Sequence, residues 1–578
     1  MQLKERVWRR GDDGRGGYCA PLTIETLNHI RSRFKEGEDY KIDSEASLMA
    51  LKFDLNTMVD KSRANKRWKF IFEGEQTDFD YPTYAERRPM PHQRIAVEAM
   101  IDREYFALLQ EMGTGKTQEI IDELAIYDRR GESQRILIVC PKSLRRNWRT
   151  ELCVCIPWFQ QCDIRLLNCA ADVPSLLQSR SRFKVGICSY GFAAGYTDIL
   201  CLYNPTYAAF DESQQAKSPD SDRGKAARQI SAFCEKRRIL TGTPVSNNIL
   251  DLWAQCEILR PGALGYQTFA GFKKAFAKVK SIIDPVTKQP TAFDKIVGYK
   301  EVDTLKERLS QIAFIVRKDQ CMQLPEVTHN TKYIEMPTQL REIYDQYEYN
   351  FSIELDGGVA STEFIIVQML TLSKICCGHI TLKKEDLEGK FRKNVQALDG
   401  GMAKMDAMIA DAIELSKETK GIIWARFHFD IDEISRRLTK EGIQHVVFDG
   451  RVSEEDRDGH VCRFNNDPEC RFFVGQAQSG GVGLTLLGDQ KSRLNSCTAA
   501  YCYSQDFNYG SRDQADARNH RKGQQYPVAY TDYVYADTIE ESIREAILSK
   551  KNVALMVKDV SSIRNFLTRE EYDDNQAG

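Results

Sequence analysis

One stretch constrains this chain more than any other: ALLQEMGTGKTQEIIDEL, residues 107–124. Ala107 to Leu109 read as the end of a buried strand, and Gln118 to Leu124 carry a helical pattern. Between them, Gly113 and Gly115 permit backbone conformations that a side chain resists. Backbone N–H groups of Met112, Gly113, Thr114 and Gly115, with the positive end of the following helix dipole, form a cradle for phosphates. Lys116 would reach the outer phosphates and the Thr117 hydroxyl would ligate Mg²⁺. The full phosphate-loop pattern has glycine at position 110, where this chain has Gln110. The competing reading is a glycine-containing strand-to-helix turn in an ordinary α/β domain.

With 578 residues the chain is too long for one core, and three or four units are expected. No run of 18 apolar residues occurs, so no transmembrane helix and no membrane partner are expected. The first 18 residues lack the apolar stretch of a secretory signal. Net charge is −2, from 81 basic and 83 acidic residues, so any nucleic-acid contact must use a local patch. Of 17 cysteines, Cys140, Cys188 and Cys502 sit in apolar strand candidates and read as buried thiols of a reducing compartment. Cys376, Cys377 and His379 lie close together, but their spacing fits no zinc pattern, so core packing is expected.

Residues 1–80 read as an accessory region, with a helix over 22–34 and a strand of alternating aromatics at Trp68, Phe70 and Phe72. A proline-rich boundary follows near 80. PHQRIAVEAM (91–100) opens a helix behind Pro91, and the Gln93 amide offers the donor and acceptor that suit an adenine edge. Strands are expected at 136–140, 185–189, 207–210 and 237–241. The first leads into Ser143 and Arg145, placed to meet sugar-phosphate. The third ends in Asp211 and Glu212. Downstream of Lys116, Asp211 can hold Mg²⁺ through water, and Glu212 can polarise the attacking water. The fourth ends in Thr241, Gly242, Thr243 and Pro244, a turn whose hydroxyls either couple the nucleotide site to a second ligand or serve as caps.

EMGTGKT, CPKSLRRNW, DESQ and LTGTPVSNN together resemble the motifs of helicase superfamily two, and within it the Swi/Snf-like double-stranded-DNA translocases. The resemblance covers about residues 85–550. It implies two RecA-like lobes, each a doubly wound parallel α/β sheet, with helical insertions and a small N-terminal domain. The expected order is a first lobe over 81–315 with a helical insertion near 260–312, a helical connector over 316–400, a second lobe over 401–560 and an acidic tail over 561–578. In the insertion, FKKAFAKVK (272–280) would place Phe272, Phe276 and Val279 on one helix face. Residues 382–400 read as a loop.

The second α/β unit is expected to have strands at 421–425, 445–449, 471–475, 499–503 and 528–535. In the loop SGGVGLT, Gly480 and Gly481 allow close approach of a phosphate backbone, and Thr485 would cap the next helix. In QADARNHRKGQ (514–524), Arg518 and Arg521 are three apart and would share a helix face. A planar guanidinium suits charge developing in phosphoryl transfer. Gln514, Arg518 and Arg521 resemble the last motif of the superfamily, and the preceding DFN (506–508) resembles its Asp-Trp-Asn.

The resemblance implies ATP and Mg²⁺ in a cleft walled by Lys116, Thr117, Asp211 and Glu212 on one side and Arg518 and Arg521 on the other. It further implies DNA-stimulated ATP hydrolysis with movement along duplex DNA, contacted by Ser143, Arg145, Thr241, Thr243, Gly480, Gly481 and Thr485. The setting would be the cytoplasm and nucleoid for a bacterial or viral chain, and the nucleus for a eukaryotic one. The alternatives are an RNA-dependent ATPase of the DEAD-box type and a DNA-binding scaffold without turnover.

Overall fold

The computed structural model describes residues 7–10, 16–19 and 89–548, except 102, 133, 156–161, 246–248, 284–289, 357–361, 386–390, 481–482 and 506–508. The expected helix over 22–34, the aromatic strand at 68–72, the boundary near 80, the DFN motif and the acidic tail lie outside the described residues. The chain divides into two compact units. One takes in the chain to Gln110, Lys116–Val139 and Leu152–Ile315. The other takes in Glu111–Gly115, Cys140–Glu151 and the chain from Val316.

The first unit is built on a seven-stranded sheet. Its strands are β1 (Tyr105–Gln110), β2 (Gln134–Cys140), β3 (Asp163–Leu166), β4 (Phe183–Ser189), β5 (Tyr207–Asp211), β6 (Lys236–Thr241) and β7 (Ala313–Val316). They stand in the order β7-β1-β6-β5-β2-β4-β3. The pairs β1–β6, β6–β5, β5–β2 and β4–β3 are parallel. All five residues of β5 are buried, as expected of a central strand in a parallel sheet. Helix α1 (Pro91–Met100) starts at its proline, where the missing N–H costs nothing. Helix α2 (Lys116–Arg129) follows the phosphate loop.

A buried ion pair ties α2 to β6. Arg238 and Glu123 are both 0% exposed, with Nη2 and Oε1 2.5 Å apart. Tyr127 and Tyr207 hydroxyls also donate to Glu123, at 2.7 and 2.6 Å. Arg238 further donates to the carbonyls of Met100 and Arg103, at 2.8 and 2.9 Å. A buried charge pair persists only when its remaining donors and lone pairs are satisfied in this way.

The insertion departs from the expected helix. Helix α3 (Asp251–Leu259) precedes it, and α4 (Phe269–Phe276) stops at Phe276. The chain then turns into the antiparallel hairpin Ala277–Ile283 with Pro290–Tyr299. Phe272 and Phe276 are buried as expected, but Val279 lies on the hairpin and is exposed. The alternation Ala-Lys-Val-Lys-Ser-Ile-Ile has a period of two, which suits a strand and overrides the helical reading there.

The second unit holds a six-stranded sheet. Its strands are β8 (Val327–Ile334), β9 (Lys420–Trp424), β10 (Gln444–Phe448), β11 (Cys470–Gly475), β12 (Cys497–Cys502) and β13 (Val528–Tyr535). The order is β8-β13-β12-β9-β11-β10, and all five pairings are parallel. The segment 316–400 is more than a helical connector. It supplies the edge strand β8, whose polar VTHNTKYI sequence hid it from a hydrophobic-run search, then α5 (Thr338–Asp356) and α6 (Thr362–Cys376). The loop expected at 382–400 contains most of a second antiparallel hairpin, His379–Glu385 with Phe391–Ala397. Cys376, Cys377 and His379 are buried in this unit.

Removing the cation from the Arg238–Glu123 pair would leave a buried carboxylate unpaired. Arg238→Met should therefore cost about 3–5 kcal/mol of stability in urea denaturation. A loss below about 1 kcal/mol would show that the pair does not anchor α2 to the sheet.

Candidate active site

The phosphate loop leaves the tip of β1, which is buried from Phe106 to Gln110. Gly113 and Gly115 take φ of +85° and +99°, the left-handed region that requires glycine. Thr114 donates its hydroxyl to the Glu111 carbonyl at 2.9 Å, closing the turn. Lys116 is buried, and its ammonium donates to the Gln110 carbonyl at 2.8 Å. Thr117 is half-buried at the start of α2.

The structure explains the departure at Gln110. Its side-chain amide donates to Glu119 Oε2 at 2.6 Å, one turn into α2. The side chain thus pins the strand tip to the helix that carries Lys116 and Thr117. Glu119 is fully buried, and burial pushes its carboxyl well above the usual range, against the lowering by Gln110 and Lys116. Gln93 is also buried. Its Oε1 accepts the Met90 N–H at 3.0 Å and caps α1.

Parallel register brings the acidic pair level with the tip of β1, from which this loop leaves. Leu109 of β1 pairs with Thr241 of β6, and Leu240 of β6 pairs with Asp211 of β5. The tips of β1, β6 and β5 therefore lie side by side, each spaced about 4.8 Å from the next. Asp211 and Glu212 are buried, and Asp211 Oδ1 accepts the Glu212 N–H at 2.9 Å. Glu212 takes φ +51°, a strained conformation for a side-chain-bearing residue of the kind held at functional sites.

Hydrogen bonds run from this pair to the threonine turn. Gln214 Nε2 donates to Glu212 Oε2 at 2.7 Å, and Gln214 Oε1 accepts from the Thr241 hydroxyl at 2.7 Å. Thr241 Oγ1 accepts the Thr243 N–H at 3.0 Å. A second path joins the same two segments: Ser213 donates to Gln255 Oε1 at 2.8 Å, and Gln255 Nε2 donates to the Pro244 carbonyl at 2.8 Å. Thr241 is buried within this network, whereas Thr243 is partly exposed. The amides of Gln214 and Gln255 thus connect the turn to the acidic pair, and Thr241 Oγ1 also caps the turn through the Thr243 N–H. The Q of DESQ was the signal for Gln214. Gln255, on α3, left no mark in the sequence.

A separate group lies within the second unit, which includes Glu111–Gly115. Arg518 Nη1 and Arg521 Nη1 both donate to the Leu484 carbonyl, at 3.1 and 2.9 Å. Arg518 Nε donates to the Gln514 carbonyl at 2.6 Å, and its Nη2 lies 3.5 Å from Met112 Sδ. The arginines do not share a helix face. Helix α8 (Tyr509–Asp516) ends before them, and they converge from the turn beyond it. A Cβ on Gly113 would come within 3.3 Å of Arg521 Cβ and 3.7 Å of Lys318 Cε. Lys318 donates its backbone N–H to Glu111 Oε2 at 2.8 Å. Burial lowers its affinity for a proton, and Arg518 and Arg521 add to that effect. Three cations gathered around a glycine loop make a site for an anion, and Lys318 had not been singled out in the sequence.

The expected nucleic-acid contacts are scattered. Ser143 is partly exposed and Thr485 exposed, but Arg145 is buried. Thr485 caps nothing, because no helix follows it. Gly480 ends a short helix, and Gly481 lies outside the described residues. In the same loop, a Cβ at Gly483 would lie 1.8 Å from Leu144 Cδ2, so this glycine admits a leucine side chain.

One consequence concerns Glu119. Its carboxyl keeps its proton in the folded chain at pH values where the unfolded chain has released it. Its contribution to stability is full below about pH 4.5 and is lost as pH rises towards the raised folded value. Glu119→Gln cannot ionise, so its urea midpoint should fall less than that of the parent between about pH 5 and pH 8. Equal slopes would contradict the protonated assignment.

The family model described as the SNF2-related domain matches residues 92–381, which is 290 of the 578 residues. An "Uncharacterized ATP-dependent helicase" of Mycoplasma pneumoniae is 26% identical over 475 residues, covering 80% of this chain and 41% of the relative. A "DNA repair and recombination protein RAD54-like" of Drosophila ananassae is 26% identical over 541 residues, covering 84% and 64%. The chain thus spans less than two-thirds of either relative. A solved structure of the Sulfolobus solfataricus SWI2/SNF2 ATPase core in complex with dsDNA aligns over 85% of this chain and 98% of its own, at 20% identity and a TM-score of 0.37. The family match spans the phosphate loop, the acidic pair and the threonine turn, and this chain belongs to the SNF2-related domain family.

Proposed function

We propose that this protein hydrolyses ATP in response to DNA and uses the cycle to move along the duplex. One observation carries the reading: the phosphate loop and the acidic pair share one sheet edge, and hydrogen bonds lead from the acids to an adjacent turn. The names of the relatives, an ATP-dependent helicase and a recombination protein, lend support.

Lys116, released from the Gln110 carbonyl, would take the outer phosphates of ATP, with the loop N–H groups around the rest. The Thr117 hydroxyl and the Asp211 carboxylate are hard oxygen donors that fit Mg²⁺, and they would hold it. The ion supplies neutralisation of phosphate charge. Glu212 would orient and deprotonate the attacking water, with Gln214 fixing its carboxylate. Arg518 and Arg521 would exchange the Leu484 carbonyl for the charge that builds on the transferring phosphoryl group. Lys318 would add a third cation.

Motion follows if the γ-phosphate is the ligand that orders these groups, because its loss releases them. Through Gln214 and Thr241, a change at Glu212 would reach Thr243 and Pro244. DNA gripped by its phosphates there carries no base code, so binding would tolerate any sequence and weaken with salt. The protein would act in the cytoplasm on the nucleoid of a bacterial or viral host, or in the nucleus of a eukaryote.

ATP turnover measured with duplex DNA, single-stranded DNA, RNA and no polymer tests the proposal. Duplex DNA should stimulate most, and the stimulation should fall as salt rises. Stimulation by RNA alone would replace the reading with an RNA-dependent ATPase, and absence of turnover under every condition would leave a scaffold. Gln214→Ala should lower polymer-free turnover, through its bond to Glu212, and cut the stimulation by DNA roughly ten- to a hundredfold further, from loss of its bridge to Thr241. Equal loss in both would make Gln214 a support of the catalytic acid alone.

A further inference from the structure

A cavity of about 190 Å³ lies in the second unit, outside every residue given a role above. It opens at the carboxyl ends of β9, β11 and β12, where Trp424, Phe427, Gln476, Gln505 and Arg512 line it. β9 and β12 are neighbours, with Trp424 paired to Cys502. Their connections leave in opposite directions: α7 (His428–Lys440) leads from β9 to β10 at one edge, and α8 leads from β12 to β13 on the other side. A parallel sheet places ligands at such a point, outside the strand ends where the winding reverses.

Two buried donors in this wall have no partner among the described residues. Trp424 is 2% exposed, and its indole N–H meets no acceptor among the described residues. Its ring stands edge-on to Phe473, with centroids 6.0 Å apart, which fixes the direction of the N–H. Gln505 is 6% exposed. Its Oε1 accepts from Arg512 Nη1 at 3.2 Å, and its Nε2 meets no acceptor among the described residues. Buried donors are rarely left unmade in a folded chain, and each calls for an explanation. Here both belong to one cavity. The charge of Arg512 is already answered by Asp532 at 2.6 Å and Asp516 at 2.9 Å. The wall therefore offers neutral N–H groups and apolar ring surface, beside the guanidinium of Arg426, whose Nη1 donates to the Gln505 carbonyl at 3.5 Å.

We propose that this cavity binds a nucleobase. A base is a flat heterocycle whose edge carries carbonyl and ring-nitrogen acceptors for the Trp424 and Gln505 donors, and whose faces suit contact with Phe427. The volume is smaller than the roughly 300–1,000 Å³ of pockets that take drug-sized ligands, so one ring system fits and a whole nucleotide does not. The base comes either from a free nucleoside or from an unpaired position in a polynucleotide. The site is independent of the triphosphate loop and does not rest on the ATPase proposal.

Titration of the full chain with 2-aminopurine riboside, and separately with an oligothymidylate carrying one internal 2-aminopurine, tests this by the fluorescence of the base. Saturable quenching is expected from at least one probe. The riboside would identify a free nucleoside as the source, and the oligonucleotide alone an unpaired base. Trp424→Phe keeps the ring and removes the N–H, and Gln505→Leu removes the amide. Each should weaken that binding about tenfold, with an unchanged far-ultraviolet circular dichroism spectrum as the check on folding. No saturable signal to millimolar probe, or binding that neither variant weakens, would overturn the proposal.

Discussion

Parallel pairing of β1, β6 and β5 is the constraint on which the candidate active site depends. Parallel strands all end on the same edge, so three segments that end at Gln110, Asp211 and Thr241 deliver their next residues to one place. The edge then receives the phosphate loop, the acidic pair and the threonine turn. None of these needs its own scaffold. What fixes the edge is burial: β5 is inaccessible along its whole length, and Arg238 clamps α2 against the sheet through Glu123.

Around that edge the chain repeatedly exchanges apolar packing for wired polar groups. Gln110 holds Glu119, Gln214 bridges Glu212 and Thr241, and Gln255 bridges Ser213 and Pro244. A glutamine suits each post because one amide both donates and accepts. Such a network moves as a unit, since a shift at one end breaks a buried bond at the other. The strained Glu212 backbone sits at its head. In the second unit, Leu484 holds both arginines with one carbonyl, a neutral and weak partner for two guanidiniums. An anion arriving at the loop would compete for them on favourable terms.

Much of this was legible in the sequence. The ten strand candidates of the two sheets all form, most of them as apolar runs long enough to declare themselves without help from a partner. That the glycine loop and the acidic pair would follow neighbouring strands was legible because their motifs fix residue types at fixed spacing. Edge strand β8 was missed, since its side chains are mostly exposed and carry no hydrophobic signal. Hairpins at 277–299 and 379–397 were missed because lysine-rich sequence reads equally as helix or loop. Arg518 and Arg521 were found but assigned the wrong backbone: spacing of three marks a helix face only while the helix lasts, and α8 stops at Asp516. Buried Arg145 and Thr241 show the limit of motif reading for nucleic-acid contact, because a motif gives residue type without exposure.

Equilibrium binding of a fluorescent ATP analogue, measured beside single-turnover hydrolysis on the same samples, tests the central claim most directly. In the proposed mechanism Lys116 holds the phosphates and Arg521 meets the charge that develops during transfer. Arg521→Ala should therefore bind the analogue within about threefold of the parent yet hydrolyse ATP roughly a hundredfold or more slower, while Lys116→Ala loses binding as well. Hydrolysis at the parental rate by Arg521→Ala would contradict the account.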